Sequence, residues 1–410
     1  MKVALVNADL LPVPPVLGGA IEHTLFETAM AIRRPQVTVI SPWSRSLKKC
    51  EGLDRGTFRH VHISNQEKKA RRLLGPKRIH NLMSPREARL FHYASGVADL
   101  LDELDPDIIQ MHNRPEIVPF LIDQFPGKQV ILYQHNDARH GSPQVRQAAR
   151  LCHHAVFVSA FLARRFADRH PCISSKSTVM HNSVDTAAWH PELRESERAQ
   201  EIHRQYRLHP GQTVLFVGRT VPQKGLHHLL DAMALVRRSL PDSKLLVVGS
   251  PLFGAVERSR YLKALKRQAA RLGDGVVFAG FVRREDTPYY YAAADVAVVP
   301  STWQEPFGKV VIEAMAAGLP VIGSRRGAIP EIIEDGVNGV LADPAADVCD
   351  LAARIVSLLT DDSCRSRLAL AARRSAVRHF DTQVRLKRTR SFYRAISAGT
   401  ELQNNLGTHE

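Results

Sequence analysis

Residues 305–322 read EPFGKVVIEAMAAGLPVI, and this stretch decides the fold class and the position of the site. It follows the apolar run Val296–Val299, which predicts a buried strand, and it predicts a helix that opens near Phe307. In an open α/β sheet, ligands gather beyond the carboxyl ends of the strands, where a helix N-terminus offers N–H groups and positive partial charge to a phosphate. The amides of Phe307, Gly308 and Lys309 are placed to supply those donors.

Two carboxylates frame the start of this helix. Glu305 stands just before it and Glu313 about two turns along it, a spacing that places both near one ridge. One carboxylate can then meet a sugar and the other a ribose. Either glutamate alone is more simply an ordinary helix residue or a charge that complements the helix dipole. The whole string of residues 305–322 favours a ligand-binding role for the two glutamates.

A second cluster, residues 216–225 (FVGRTVPQKG), follows the predicted strand Thr213–Val217. Arg219 and Lys224 converge on this strand-to-helix loop, and a diphosphate needs such fixed charge and paired donors. By itself a basic turn is most simply a solvated loop. Beside the carboxylate string it favours a ligand site.

Short apolar runs separated by helix-length segments recur along the chain. In the first half they are Lys2–Val6, Val37–Ile40, Asp107–Met111, Gln129–Gln134 and Ala155–Val158. In the second half they are Thr213–Val217, Lys244–Val248, Val276–Ala279, Asp295–Val299 and Pro320–Ile322. The alternation predicts an α/β protein of two facing, Rossmann-like, doubly wound domains with an interdomain cleft.

The domain boundaries follow from the restart of this pattern after a polar stretch. We predict one Rossmann-like domain over residues 1–184 and a second over residues 185–372. Residues 373–398 have helix-forming composition and predict a C-terminal helix that crosses back to the first domain. Residues 399–410 predict a disordered tail.

Composition limits the classes of function. The formal net charge of +15 favours anionic partners such as nucleotides, phospholipids or nucleic acid. The basic clusters at residues 68–72 and 385–390 are more simply solvated faces; if they function, we expect an anionic membrane surface as their partner. The five cysteines are scattered without metal-site spacing, and residues 1–7 are too short and polar for a signal peptide, so a cytoplasmic protein is expected.

Residues about 211–345 resemble the donor domain of the retaining GT-B glycosyltransferases, the large family 4 (group 1) that shares the E-x7-E string. The resemblance implies that Arg219 and Lys224 hold the donor diphosphate, Glu313 the ribose and Glu305 the transferred sugar. It also implies that the amides of residues 307–309 grip phosphate and sugar, and that the base sits near two residues, Phe281 and Val282. Family members often have Gly-x-Gly after the next strand, where this chain has Gly249-Ser250-Pro251.

The resemblance reaches the first, acceptor-binding domain more weakly, through the turn that contains Gly18 and Gly19. A glycine pair in such a turn is equally compatible with a loop that binds no ligand. The resemblance implies that these two glycines lie against the donor phosphate and the acceptor. His135 matches the family position that contacts the donor sugar, although a strand-end histidine alone is more simply structural. His112 and Asn113 are the acceptor-side candidates. These segments are closest to lipopolysaccharide-core and spore-coat polysaccharide transferases.

The mechanism implied by the family is a front-face attack in which the leaving diphosphate helps to deprotonate the acceptor. We assign the catalytic roles to His135, Glu305, Arg219 and Lys224, and we expect no cofactor and no metal because cations and helix amides balance the diphosphate charge. The sequence Asp105-Pro106-Asp107 has the letters of a metal-binding motif, but it precedes a strand and predicts a helix-to-strand turn.

The expected function is hexosyl or N-acetylhexosaminyl transfer from a nucleotide sugar, UDP-linked by family frequency, to a saccharide or lipid-linked acceptor of bacterial surface polysaccharide or lipopolysaccharide. Peripheral contact with the inner face of the cytoplasmic membrane would suit a lipid-linked acceptor. A glycan phosphorylase or sugar-phosphate synthase on the same fold stays open as an alternative. An epimerase or dehydrogenase lacks its Gly-x-Gly-x-x-Gly motif here, and a nucleic-acid binder lacks a recognisable motif, so no nucleic-acid partner is expected.

Overall fold

The computed structural model describes residues 1–50, 54, 56–64, 84–138, 141–251 and 259–399. The chain divides into unit 1, Met1–His181 with the segment from Leu386, and unit 2, Asn182–Arg385. This division falls three residues before the predicted boundary at 184. The reason is that Val184 exchanges backbone hydrogen bonds with unit 2, donating to Phe380 at 2.9 Å and accepting from Thr382 at 3.0 Å.

Unit 1 contains a parallel seven-stranded sheet in the order β3-β2-β1-β4-β5-β6-β7. Its strands are β1 Lys2–Val6, β2 Gln36–Pro42, β3 Phe58–Val61, β4 Ile108–His112, β5 Gln129–Gln134, β6 His154–Phe157 and β7 Ser177–Val179. Among the residues described before His181, the α-helices are α1 Ala20–Ala31, α2 Pro85–Leu104, α3 Val118–Gln124, α4 Pro143–Leu151 and α5 Ala160–Ala167. The strand order reverses between β1 and β4, which creates the switch point where ligands bind in such sheets.

Unit 2 contains a parallel six-stranded sheet in the order β10-β9-β8-β11-β12-β13. Its strands are β8 Thr213–Val217, β9 Lys244–Val248, β10 Val276–Gly280, β11 Val296–Val299, β12 Val321–Ser324 and β13 Val340–Ala342. Its helices are α6 Glu197–Tyr206, α7 Leu226–Ser239, α8 Arg260–Ala270, α9 Thr287–Ala292, α10 Lys309–Ala316, α11 Ile329–Ile332, α12 Val348–Thr360 and α13 Asp362–Ser375. The order reverses between β8 and β11. Both sheets confirm the predicted α/β class with Rossmann-like units.

The C-terminal region differs from the single helix predicted over residues 373–398. Helix α13 ends at Ser375, a short π-helical turn spans Ala376–Phe380, and a separate helix, α14, runs from Thr382 to Ala398. Asp381 interrupts the helix because its backbone is extended and bridges to Val184. Helix α14 begins in unit 2 and continues into unit 1 from Leu386.

Part of the basic cluster at residues 385–390 has a structural role. Arg385 is buried and its Nε donates to Ser183 Oγ at 2.8 Å, while Arg390 donates to the carbonyl of Ala31 at 2.8 Å. The other basic cluster, residues 68–72, and the predicted tail beyond Gly399 lie outside the described residues. Over the described part of the chain, no helix is long and apolar enough to cross a membrane.

Candidate functional site

The switch point of unit 2 brings together the loops that follow β8 and β11. Gly225 has a φ of +69°, and a Cβ on it would lie 1.8 Å from the carbonyl oxygen of Pro300. The amide of Thr302 donates to the carbonyl of Gln223 at 2.9 Å. These two contacts hold the loops against each other, so the cluster at residues 216–225 and the start of the carboxylate string meet in one place.

Lys224 and Glu305 form the centre of this contact. The Lys224 Nζ lies 2.5 Å from Glu305 Oε1, which also accepts a hydrogen bond of 2.5 Å from Ser301 Oγ. The Glu305 side chain is only 5% exposed and that of Lys224 is 20% exposed. The ammonium also lies 5.5 Å from the centroid of the Trp303 ring. Lys224 is therefore held in a fixed position by a carboxylate and an aromatic face.

Helix α10 starts beside this pair. It begins at Lys309, two residues later than the predicted opening near Phe307, because Gly308 occupies the N-cap with a φ of +101°. No side chain caps this end. A helix N-terminus carries positive partial charge that favours a nearby anion, which is the feature that the sequence predicted.

Glu313 lies on α10 and is buried. Its Oε2 accepts a hydrogen bond of 3.2 Å from the Tyr291 hydroxyl, and its Oε1 lies 3.7 Å from Arg284 Nη1. Burial, followed by the nearby Glu313 carboxylate, raises the pKa of Tyr291 well above its ordinary value, so the phenol remains a hydrogen-bond donor. The Glu313 carboxylate is thus held between the Tyr291 hydroxyl and the Arg284 guanidinium.

The remaining unit 2 candidates lie on the same edge of the sheet. Hydrogen bonds link the ends of β8, β9 and β10: the Gly218 amide donates to Val248 at 3.0 Å and the Gly249 amide to Gly280 at 2.7 Å. Arg219, two residues after the end of β8, is exposed, and its guanidinium has no partner among the described residues. The two residues predicted near the base, Phe281 (50% exposed) and Val282 (half-buried), follow β10.

In unit 1 the predicted glycine turn precedes α1. Gly18 and Gly19 have φ values of +81° and +107°, and a Cβ on Gly19 would lie 2.0 Å from Glu22 Oε2. Glu22 is buried, which raises the pKa of its carboxyl, and its Oε1 accepts from Asn7 Nδ2 at 3.1 Å. Only glycine allows the chain to turn this closely over that carboxyl.

The three polar residues predicted at the ends of β4 and β5 are in contact. His112 Nδ1 lies 2.8 Å from His135 Nε2, and the Asn113 Oδ1 accepts the His135 amide at 2.7 Å. Asn113 has a φ of +55°, a left-handed conformation that asparagine tolerates. Burial, with a further contribution from His135, holds the pKa of His112 well below its ordinary value.

A small polar cavity of about 140 Å³ opens beside these residues. Asn113, Arg114, Glu116 and Gln134 are among the residues that line it. The Gln134 side chain is buried, and its Oε1 has no partner among the described residues.

The chain matches two family models. The one described as glycosyl transferases group 1 covers residues 199–375, and the one described as Glycosyltransferase Family 4 covers residues 21–188. Spore coat protein SA of Bacillus subtilis (strain 168) is 34% identical over 390 residues, which are 93% of this chain and 96% of that protein. The chain belongs to the group 1, family 4 glycosyltransferases.

Other relatives agree with this membership. The lipopolysaccharide 1,2-N-acetylglucosaminetransferase of Salmonella typhimurium is 27% identical over 258 residues, 62% of this glycosyltransferase and 64% of that protein. A crystal structure of Anabaena Alr3699/HepE in complex with UDP-glucose matches with a TM-score of 0.73 at 22% identity, covering 96% of this chain and 100% of that one. The structural likeness confirms the GT-B fold expected from the resemblance.

Several residues of the glycosyltransferase site could not be assigned from the sequence. Ser301 and Trp303 lie in the strand-end loop after β11, so the rule that ligands gather at strand ends could have drawn attention to them. Arg284 and Tyr291 reach Glu313 from the β10–α9 connection and from α9. No local pattern marks these two, because their role exists only once helices α9 and α10 are packed together.

Proposed function

We propose that this protein is a retaining glycosyltransferase that moves a hexose or N-acetylhexosamine from a UDP-sugar to a saccharide or lipid-linked acceptor in the synthesis of bacterial surface polysaccharide or lipopolysaccharide. The observation that carries the proposal is the Lys224–Glu305 pair at the uncapped N-terminus of α10, with Glu313 farther along the same helix. This arrangement combines a fixed cation, helix amides and two oriented carboxylates at one switch point.

The diphosphate of the donor needs positive charge and directed donors. Lys224 and Arg219 supply the charge, and the amides of residues 307–309 supply donors at the helix end. These groups stabilise the negative charge that grows on the leaving diphosphate as the glycosidic bond breaks. Because they balance that charge without a divalent ion, we propose that transfer proceeds without a metal or cofactor.

The two carboxylates have different neighbours and therefore different proposed roles. Glu313 accepts from Tyr291 on one oxygen only, so it can also accept hydrogen bonds from the ribose hydroxyls. Glu305 pairs with Lys224, the cation proposed to hold the diphosphate, and this contact supports the proposal that Glu305 contacts the transferred sugar. The base is proposed to lie against the exposed ring of Phe281 and against Val282.

The acceptor is proposed to bind unit 1, through His112, Asn113 and the Gly18–Gly19 turn, with His135 contacting the transferred sugar. A saccharide fits the polar cavity beside Asn113 because its hydroxyls both donate and accept. The similarity to spore coat protein SA and to a lipopolysaccharide N-acetylglucosaminetransferase supports a surface glycan as the product. A cytoplasmic enzyme that visits the anionic membrane surface, with no nucleic-acid partner, suits such an acceptor.

The experiment that tests the proposal measures binding and slow hydrolysis of UDP-, GDP- and ADP-sugars. We expect one UDP-sugar to be hydrolysed with EDTA present, and we expect Lys224→Ala and Glu313→Ala to weaken it by about 10-fold or more. The exposed Lys266→Ala in α8 is the matched control and should leave hydrolysis unchanged. Turnover of a glycan with inorganic phosphate and no nucleotide donor would instead establish a phosphorylase.

A further inference from the structure

A hydrogen-bonded chain of side chains runs through unit 1 from the C-terminal helix to His135. The Tyr393 hydroxyl on α14 donates to Gln110 Oε1 at 3.1 Å, Gln110 Nε2 lies 2.8 Å from His112 Nε2, and His112 Nδ1 lies 2.8 Å from His135 Nε2. All four side chains are at most 6% exposed. The Tyr133 ring stacks on both imidazoles, at 4.9 and 4.6 Å.

The orientation of the Gln110 amide, with Oε1 towards Tyr393 and Nε2 towards His112, fixes the direction of every link. A phenol O–H that donates to Gln110 Oε1 leaves the amide Nε2–H facing His112, and an amide nitrogen can only donate. The Nε2 of His112 must then carry a lone pair, so its proton resides on Nδ1. That proton is donated to His135 Nε2, and a neutral His135 must therefore hold its own proton on Nδ1.

The surroundings keep His112 in the neutral form that this direction requires. It is 2% exposed, and burial with the adjacent His135 depresses its pKa far below the ordinary value. The four side chains that these three hydrogen bonds join are a phenol, an amide and two imidazoles. The direction of donation therefore follows from the orientation of the Gln110 amide.

We propose that Tyr393 and Gln110 are positioning residues that hold His135 as the Nδ1–H tautomer, so that His135 serves glycosyl transfer as a hydrogen-bond donor and not as a base. Its Nε2 lone pair is already occupied by the His112 N–H, and its Nδ1 is already protonated. His135 thus has no free lone pair with which to take a proton from the acceptor. This role rests on the proposed function, in which the leaving diphosphate receives that proton.

The rival arrangement has the Gln110 amide turned over. Its oxygen would then accept from His112 Nε2–H, its nitrogen would donate to Tyr393, and His135 would donate from Nε2 to His112. His135 would present a lone pair on Nδ1 and could act as a base. The two arrangements place protons on opposite nitrogens of both imidazoles, so they can be separated by experiment without a substrate.

Nitrogen-15 NMR of the full-length, histidine-labelled protein decides between them. Two-bond 15N–1H correlations are assigned with His112→Gln and His135→Gln. We expect a protonated Nδ1 and an unprotonated Nε2 on both rings at neutral pH. Protonated Nε2 on both rings, or an imidazolium at either position, would overturn the proposal. The outcome does not depend on enzymatic activity, so it stands apart from success or failure of the proposed function.

A kinetic test uses Tyr393→Phe, with Tyr93→Phe as the matched control. Both are fully buried tyrosines of unit 1 whose hydroxyl donates to an oxygen, and Tyr93 donates to the backbone carbonyl of Asn7 at 2.8 Å. Without its phenol, Tyr393→Phe lets the amide turn over. A second set of imidazole N–H signals should appear, and kcat for donor hydrolysis should fall about three- to tenfold with KM little changed. Equal kcat and one unchanged tautomer in both variants would refute the positioning role.

Discussion

Replacing Gly225 by alanine should separate the two loops that form the proposed donor site. The residue has a φ of +69°, and a Cβ on it would lie 1.8 Å from the carbonyl oxygen of Pro300, which is backbone and cannot rotate away. Since ordinary contact begins near 3.4 Å, the loops must move apart by about 1.6 Å. The hydrogen bond of 2.5 Å between Lys224 and Glu305, one from each loop, would break.

The free-energy change has two parts. Forcing alanine into the left-handed region costs about 1–2 kcal/mol, and overpacking against fixed backbone adds about 1–3 kcal/mol. We therefore expect the free energy of unfolding to fall by about 2–5 kcal/mol in Gly225→Ala. A misplacement of more than 1 Å at a site of charge stabilisation should lower kcat/KM for donor hydrolysis about 100-fold.

Gly336→Ala is the matched control for this substitution. Its φ is +76°, but no atom lies within 4 Å of the added Cβ, so it tests the backbone term alone. We expect a loss of about 1–2 kcal/mol and kcat/KM within about twofold of the native value. Stability would be measured by urea denaturation, and activity by release of UDP from the UDP-sugar that the native protein hydrolyses. The steric reasoning would be refuted if Gly225→Ala and Gly336→Ala lost the same amount of stability and had the same kcat/KM.

Three further predictions concern individual side chains. Removal of the 2′-hydroxyl from the UDP-sugar ribose should weaken hydrolysis about tenfold in the native protein but hardly at all in Glu313→Ala; an equal loss in both would remove Glu313 from the ribose site. Trp303→Leu should raise the donor KM about two- to fivefold by releasing the Lys224 ammonium from its ring, and an unchanged KM would argue against that contact. Burial, with a smaller effect of Lys176, lowers the pKa of His154 to about 4, below the value of about 6.5 in the unfolded chain. The neutral imidazole therefore contributes its full stability above about pH 6.5, and this contribution is lost as the pH falls towards about 4. Between about pH 7 and about pH 5, the free energy of unfolding, measured by urea denaturation, should fall by about 1–2 kcal/mol less in His154→Gln than in the native protein. Equal falls in the two proteins would contradict the assignment.

The sequence pattern predicted the strands that are long and apolar, and it missed the strands that are short or polar. The structure matches the five apolar runs predicted in unit 2 and adds β13, which contributes only Val340–Ala342. In unit 1 it adds β3 and β7, whose sequences FRHV and STV have no apolar period that a pattern could detect. The predicted turn at Asp105-Pro106-Asp107 is confirmed, since Asp105 caps α2 with a φ of +45°.

For the site, residue types were predictable and their partners were not. Strand-end position and charge pointed to Lys224 and Glu305, yet their direct contact depends on how close the two loops lie, which the steric fit of Gly225 determines. The link between Tyr393 and Gln110 joins residues 283 positions apart, so no local pattern could indicate it. The sequence indicated the type of residue at each position of the site, and the packing of the fold determines which residues it contacts.

The most direct test of the central claim is a crystal structure of the protein soaked with UDP. We predict that the diphosphate lies between Lys224, Arg219 and the N-terminus of α10, and that the ribose hydroxyls donate to the Glu313 carboxylate. UDP bound at any place that touches neither Lys224 nor Glu313 would contradict the assignment of the donor site.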